Sequence, residues 1–101
     1  MTYHVVFLPR ARQQLIEISD YIEAEASLAV AQNFVGDIVG YCNSFDLFPQ
    51  RGTARDDLYP GLRLVGFRRR VSIAFAIEDD TVVIIGVFYG GQDYESALSA
   101  D

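Results

Sequence analysis

An apolar run from Val82 to Tyr89 constrains the fold of this chain more than any other segment. The run reads VVIIGVFY, so an extended strand built from it is apolar on both faces. Strands at the middle of a sheet have this character, whereas half-exposed strands alternate apolar with polar residues. The run therefore predicts a central strand, and both of its faces need a cover.

Three other segments have strand character. Residues 62–67 and 70–77 alternate along the chain, and residues 3–8 are rich in β-branched and aromatic side chains up to Pro9. The 70–77 segment places four apolar residues on one face, namely Val71, Ile73, Phe75 and Ile77. Residues 78–81 predict a hairpin turn before the central strand. Together these patterns predict a four-stranded, mainly antiparallel sheet.

Between the first strand and the others, apolar residues recur with helical spacing. One stripe consists of Ala11, Leu15, Ile18 and Ile22, in a helix from Pro9 to about Glu25. A second helix begins after Ser27 as its N-cap and ends at Phe48-Pro49; its stripe is Ala31, Phe34, Val35, Ile38, Cys42 and Phe45. The two helices predict an antiparallel hairpin. Gly36 and Gly40 inside the second helix predict close backbone packing against a neighbour.

A hairpin of two helices covers only one face of such a sheet. The opposite face of the central strand must then meet aromatic loops or stay exposed as an apolar patch for another chain. We favour a partner surface.

The size and composition of the chain fit one domain over residues 1–101 in a reducing compartment. A chain of 101 residues, half of them apolar, can form one core without metals or disulfides, and two domains would each be too small. Cys42 is the only cysteine, which excludes an internal disulfide, favours a cytoplasmic location and predicts a small core residue. We expect no signal peptide, no bilayer span, no cofactor and no metal; the pairs Asp56-Asp57 and Asp79-Asp80 are typical of turns and helix starts.

Positive charge is concentrated in one part of an acidic chain. The net charge is -6, there is no lysine, and all but two of the eight arginines lie between Phe48 and Arg70. Such a balance argues against general nucleic-acid binding and predicts one local contact with an anionic partner. We expect Arg51, Arg55 and Arg68 to hold the loop through ion pairs, and Arg63, Arg69 and Arg70 to be candidates for contact with that partner.

Four short motifs, in this order and spacing, resemble the ParE branch of the RelE/ParE toxins of bacterial toxin-antitoxin systems. They are Leu8-Pro9, FPQRG at 48–52, LYPGLR at 58–63 and FYGGQD at 88–93. The resemblance spans nearly the whole chain. It implies an α+β fold with an N-terminal strand, a two-helix hairpin and a three-stranded antiparallel meander.

The resemblance also implies a partner and a target. ParE-like proteins are held inactive by a ParD-like antitoxin, a dimeric DNA-binding protein whose tail wraps the toxin, in an expected unit of two toxins and two antitoxins. Operator DNA would be met only through the antitoxin. ParE-like members interfere with DNA gyrase, whereas RelE-like members cut messenger RNA on the ribosome.

The residues favour binding over RNA cleavage. Cleavage through the 2′-hydroxyl needs a base, a cation and an acid, and RelE-like ribonucleases supply lysines, arginines and a C-terminal tyrosine or histidine. This chain has no lysine, and its one histidine, His4, lies in the first strand. Residues 90–93 carry no positive charge, although they occupy the position where a RelE-like ribonuclease would be expected to have basic side chains. An mRNA endonuclease remains the alternative, and a non-toxic co-repressor of the antitoxin is a third possibility.

We therefore predict no catalytic residue and one binding surface for the antitoxin or the target. The surface combines guanidinium groups, strand aromatics and the end of the last motif. Its candidate residues are Arg63, Phe67, Arg69, Arg70, Tyr89, Gln92 and Asp93.

Overall fold

The apolar run forms the second strand of a five-stranded sheet. A computed structural model describes residues 2–92 and 94–98. Its elements are β1 (His4–Phe7), α1 (Pro9–Glu25), α2 (Leu28–Asn43), a 3₁₀ turn (Ser44–Asp46), β2 (Thr53–Ala54), β3 (Leu62–Phe67), β4 (Val71–Glu78), β5 (Thr81–Tyr89) and α3 (Tyr94–Leu98). The strand order is β1-β5-β4-β3-β2. Strand β1 is parallel to β5 and all other pairs are antiparallel, which confirms the predicted α+β fold.

The sheet has one strand more than the four expected from sequence. Strand β2 is only two residues long, with Thr53 opposite Leu64 and Ala54 opposite Arg63. Two residues are too few to show the alternation that identifies a strand in sequence. The Arg63 guanidinium supports the pairing, since its Nε donates to the carbonyl oxygen of Arg51 at 2.9 Å.

The two helices form the predicted hairpin and cover one face of the sheet. The α1 stripe is buried as expected, at Ala11, Leu15, Ile18 and Ile22. Helix α2 is capped by Ser27, whose hydroxyl oxygen accepts from the Val30 N–H at 3.1 Å. It ends at Asn43, earlier than the pattern predicted, because the 3₁₀ turn that follows continues the apolar stripe and buries Phe45 completely. The core between helices and sheet includes Ile38, Phe45, Ile73, Phe75 and Ile84.

The prediction for the two helical glycines is wrong. Gly36 and Gly40 are not packed against a neighbour, since a Cβ at either position would meet nothing within 4 Å. No other element of the described residues approaches the helix closely at these glycines. Their conformational freedom therefore only lowers the stability of the helix.

Alanine at these positions should stabilise the protein. We expect Gly36→Ala and Gly40→Ala each to raise the free energy of unfolding by about 1 kcal/mol, because glycine loses more backbone entropy in a helix than alanine does. Urea unfolding followed by circular dichroism measures the change. A loss of stability in either variant would mean that the site is more crowded than the structure indicates.

Cys42 is the core residue that the sequence predicted. Its side chain is fully buried, and desolvation by burial raises the pKa of the thiol from 9.0 to about 12. The neutral thiol, not the reactive thiolate, is therefore the form present at neutral pH.

This burial predicts slow alkylation. Iodoacetamide at pH 8 should leave Cys42 unmodified in the folded protein and modify it fully in urea, because only unfolding returns the thiol pKa to its ordinary value. Mass spectrometry of quenched samples gives the modified fraction. Rapid modification without denaturant would contradict a buried thiol.

The sheet face opposite the helices is only partly covered. Leu62, Ala74, Phe88 and Leu98 form a second, smaller buried cluster there. Helix α3 is held over it by two contacts of arginine, from Arg10 Nη2 to the Ala97 carbonyl oxygen at 3.2 Å and from Arg55 to the Glu95 carboxylate at 3.0 Å.

Beside α3 the same face remains open as an apolar groove of about 480 Å³. Its lining includes the apolar or aromatic residues Val6, Leu8, Tyr59, Val83 and Ile85 and the charged residues Arg10 and Glu78. The exposed apolar patch favoured from sequence thus occurs on this face, and the part of the face that is covered is covered by helix α3 and not by the aromatic loops of the other alternative. None of the helices in the described residues combines the length and apolar character that a bilayer span requires.

Candidate functional site

The tight turn between β3 and β4 presents three consecutive arginines in a strained backbone. The Arg70 N–H bonds the Phe67 carbonyl oxygen at 3.3 Å, and the two central residues, Arg68 and Arg69, have φ angles of 53° and 63°. Positive φ at both central positions suits glycine and asparagine, since a Cβ there costs about 1–2 kcal/mol per residue. Arginine is therefore a poor choice for folding here. Strain of this kind in an exposed turn points to a role for the side chains.

The three arginines differ in their contacts. Arg68 pairs with Asp37 of α2 at 2.9 Å and lies over the Phe67 ring at 4.9 Å. Arg70 Nη1 donates to the hydroxyl oxygen of Tyr89 at 3.4 Å. Arg69 is exposed and makes no ion pair or side-chain hydrogen bond among the described residues. It is thus the arginine at this turn with the most freedom to meet another molecule.

Replacing Arg69 with glycine separates the stability of the turn from its function. We expect Arg69→Gly to raise the free energy of unfolding by about 1 kcal/mol, because glycine adopts positive φ without a steric penalty. Chemical denaturation measures the gain, with Arg12→Gly in the exposed face of α1 as the opposite case, expected to lose about 1 kcal/mol. Equal losses in both variants would contradict the strained turn.

The arginines expected to hold the loop do make contacts within the chain. Arg55 forms a forked pair with Asp57, both bonds at 2.9 Å, which lowers the pKa of that carboxyl and raises the pKa of the guanidinium. Arg51 donates to the carbonyl oxygens of Phe48 and Ser44 and lies 4.9 Å from the Phe45 ring centroid. These side chains fasten the connection that leads from the helices to β2.

Tyr89, at the end of β5, is the centre of a group that we call the Tyr89 cluster: Tyr89, Arg70, Tyr21 and Phe34. The ring centroid of Tyr89 lies 5.7 Å from that of Tyr21 in α1 and 5.9 Å from that of Phe34 in α2. Tyr21 is 54% exposed. Tyr21 was not among the site residues predicted from sequence. Its signal in the sequence is an aromatic side chain beside the buried stripe of α1, on the same helical face as Glu17 and Glu25.

Of the other predicted site residues, Phe67 and Gln92 lie near Tyr89 and Arg63 does not. Phe67 lies in the same row of the sheet as Tyr89, since both pair with Val71, and its ring stacks on Tyr41 with centroids 4.9 Å apart. Gln92 lies beside Tyr89, and the Tyr89 N–H donates to Gln92 Oε1 at 2.7 Å. Arg63 is distant from them: it pairs with Phe75 in the sheet, and its guanidinium serves the β2 pairing. Asp93 lies outside the described residues.

The chemistry available at the Tyr89 cluster is ionic and aromatic. Guanidinium groups can pair with carboxylates or phosphates, and phenol rings can contact apolar or planar groups, but arginine is a poor proton carrier. His4 pairs with Thr81 at the opposite end of β5. The rise of an extended strand places Thr81 and Tyr89 about 26 Å apart. The arrangement is therefore suited to binding an anionic or mixed surface, and the histidine takes no part in it.

Comparisons with known proteins agree with this fold. The model of the family described as ParE toxin of type II toxin-antitoxin system, parDE, matches residues 5–94. A chain from the chromosomal ParDE TA system of P. aeruginosa has a TM-score of 0.77 and 20% sequence identity, covering 88% of this chain and 97% of that one. A chain from the toxin-antitoxin complex RelBE2 of Mycobacterium tuberculosis has a TM-score of 0.61 at 20% identity, covering 88% and 99%. A search of curated protein sequences finds no significant match.

The two structural similarities, at 20% identity, bear on the fold alone. The family match carries more, because it extends from β1 to the start of α3 and includes all four motifs on which the resemblance rested. The chain belongs to the ParE toxin family of type II toxin-antitoxin systems.

Proposed function

We propose that this ParE-family chain inhibits growth by binding DNA gyrase, and that a ParD-like antitoxin neutralises it in the cytoplasm. The observation that carries the proposal is the family match over residues 5–94. The composition of the Tyr89 cluster adds to it, since guanidinium groups and phenols suit docking better than proton transfer. The protein then acts by occupying a surface of its target and needs no catalytic turnover.

Two features of the surface fit an antitoxin tail. The apolar groove beside α3, lined by Val6, Leu8, Val83 and Ile85, suits the apolar face of an amphipathic segment. The exposed guanidinium groups of Arg69 and Arg70 suit an acidic stretch of the same tail. A tail that is partly disordered before binding can cover both and be removed by proteolysis. We expect two toxins on one antitoxin dimer.

A supercoiling assay tests the target. Purified protein should inhibit the supercoiling of relaxed plasmid by gyrase and trap cleaved DNA, and Arg69→Glu with Arg70→Glu should weaken this inhibition. The single variants Arg69→Glu and Arg12→Glu form the matched pair, since Arg12→Glu changes the net charge as much as Arg69→Glu does, on the exposed face of α1 and away from the arginine turn. Normal supercoiling at saturating wild-type protein would exclude gyrase as the target.

The partner is tested separately. A small protein encoded next to this chain, with a DNA-binding head and an amphipathic tail, should copurify with it, and light scattering should give the mass of two chains of each. Growth inhibition should disappear on coexpression. A monomeric toxin that ignores this neighbour would contradict the proposed pairing without bearing on gyrase.

RNA cleavage on the ribosome is the second candidate function. The similarity of fold to the RelBE2 chain and the hydrogen bond between Arg70 and Tyr89 favour it, since a cation beside a phenol can face a phosphate. Primer extension on messages from expressing cells distinguishes the two functions. Cuts inside codons that vanish in Arg70→Ala and Tyr89→Phe support cleavage, whereas intact messages during growth arrest reject it.

A further inference from the structure

Strand β5 has a neighbour on both sides for only part of its length. Strand β1 pairs with it from Thr81 to Ile84, and the Leu8 N–H bonds the Ile84 carbonyl oxygen at 3.0 Å. Pro9 then turns the chain into α1, so no strand of the described residues lies beside the second half of β5 on that side. The ladder with β4 shifts register between Ala74 and Phe75, where Ile85 is the extra residue on β5. In the part of the chain that the structure describes, the second half of β5 therefore has no paired strand on the β1 side and forms a short open edge.

Two glutamine side chains accept hydrogen bonds from backbone N–H groups of this edge. The Val87 N–H bonds Gln14 Oε1 and the Tyr89 N–H bonds Gln92 Oε1, both at 2.7 Å. The backbone carbonyls of Val87 and Tyr89 point to the same side as their N–H groups, because each strand residue directs both groups to one neighbour. Two amide oxygens therefore stand where the carbonyls of an adjacent strand would be, and the acceptors of the edge face outward.

The space next to this edge consists of two clefts divided by Tyr21. The first, about 360 Å³, is lined by Gln14, Glu17, Tyr21, Tyr89 and Gln92. The second cleft has a volume of about 290 Å³. It also contains Tyr21 and Tyr89 and reaches Glu25 and Phe34; Arg70, whose Nη1 donates to the Tyr89 hydroxyl oxygen at 3.4 Å, lines it as well.

Each cleft has a carboxylate of α1 at its rim. Glu17 and Glu25 precede and follow Tyr21 by four residues, so they are about 12 Å apart on the same side of the helix. Neither forms an ion pair among the described residues, and the one side-chain contact of Glu17 is with the Gln13 amide at 3.4 Å. In a chain of net charge -6, these two groups favour positive side chains in a partner. In an extended segment, residues four apart point to the same side about 13 Å apart, which matches the spacing of the two carboxylates.

We propose that this edge binds an extended, basic segment of a partner protein. The backbone of the segment pairs with the open edge at Val87–Tyr89, where its carbonyls replace the two glutamine oxygens. Two basic side chains, four residues apart, reach Glu17 and Glu25, and an apolar side chain midway between them lies on Tyr21. The inference does not depend on whether gyrase is the target, because it rests on the edge and the carboxylates alone.

The probe is the peptide acetyl-SVRTVTRS-amide, which places arginine, valine and arginine on one side of an extended chain. Titration into the full-length, ¹⁵N-labelled protein should give saturable shifts of the Val87 and Tyr89 backbone amides and of the Gln14 and Gln92 side-chain amides. Glu17→Gln with Glu25→Gln should weaken binding at least about tenfold.

A second double variant is the matched control. Asp20→Asn with Glu23→Gln removes the same charge from the same helix, and neither residue lines the two clefts. This variant should bind the peptide as the wild type does. The comparison separates the local effect of Glu17 and Glu25 from the effect of net charge.

Two comparison peptides complete the experiment. Acetyl-SVETVTES-amide reverses the charge and acetyl-SVRTRVTS-amide shortens the arginine spacing, and both should bind more weakly than the first peptide. The proposal is overturned if the first peptide causes no saturable shift, if the Glu17 and Glu25 double variant binds it as tightly as the wild type, or if the acidic peptide binds the same amides equally well. Shifts confined to Arg69 and Arg70 would likewise overturn it.

Discussion

Phe45→Ala should lower the free energy of unfolding by about 3–5 kcal/mol, a large part of the roughly 5–15 kcal/mol that stabilises a typical domain. Phe45 is fully buried where the 3₁₀ turn leaves α2. Its ring centroid lies 4.9 Å from that of Phe75 in the sheet and 5.2 Å from that of Tyr41. Removing the ring leaves a cavity between the helices and the sheet, and it removes the aromatic surface on which the Arg51 guanidinium rests.

The chain offers a matched control three residues further on. Phe48 is 69% exposed, so Phe48→Ala removes the same atoms without a cavity and should change stability by less than about 0.5 kcal/mol. Urea unfolding with fluorescence and circular dichroism measures both variants. Similar losses at the two positions would show that the ring of Phe45 is not part of the core.

Gly52→Ala should cost about 3 kcal/mol and disrupt the short strand β2, because the steric penalty of positive φ adds to displacement of the β3 backbone. Gly52 has a φ angle of 69°, and a Cβ there would overlap the carbonyl oxygen of Leu64 and come within 2.9 Å of Val65 Cβ. Urea unfolding measures the loss of stability. Hydrogen exchange should also show faster exchange at Thr53 and Ala54.

Gly61→Ala isolates the backbone contribution. Gly61 has a φ angle of 81°, but a Cβ there would meet nothing within 4 Å. This variant should lose only about 1 kcal/mol, the penalty of positive φ by itself. Equal losses of stability in Gly52→Ala and Gly61→Ala would show that the close approach of Gly52 to β3 adds nothing to the cost of the Gly52→Ala substitution.

Regular periodicity made the framework predictable from sequence. The stripe that includes Leu15 and Ile18 identified α1, and the two apolar faces of Val82–Tyr89 identified the central strand. Both were predictable because burial of one or both sides of an element produces a regular pattern of apolar residues in the sequence. Family-level motifs added the order of elements. The ends of elements were less accurate: a 3₁₀ turn continued the stripe of α2 beyond its last helical residue, and apolar spacing does not distinguish the two.

The site was harder to predict, since it depends on contacts between distant residues. Tyr21 meets Tyr89 only because α1 packs across β5, and Gln14 reaches Val87 only because β1 ends at Phe7. No local pattern encodes either contact. Arg63 and Arg69 have the same charge in sequence, yet one fastens β2 and the other is exposed. The strain of the arginine turn was also hidden, because it is a property of φ and not of composition.

The parallel pairing of His4 with Thr81 couples the first residues of the chain to its last third. During synthesis β1 is made well before Thr81, so it lacks its neighbour and the sheet closes only after β5 has been made. Contacts of such long sequence separation slow folding. A nascent chain therefore lacks the assembled Tyr89 cluster until β5 has been made and has taken its place in the sheet.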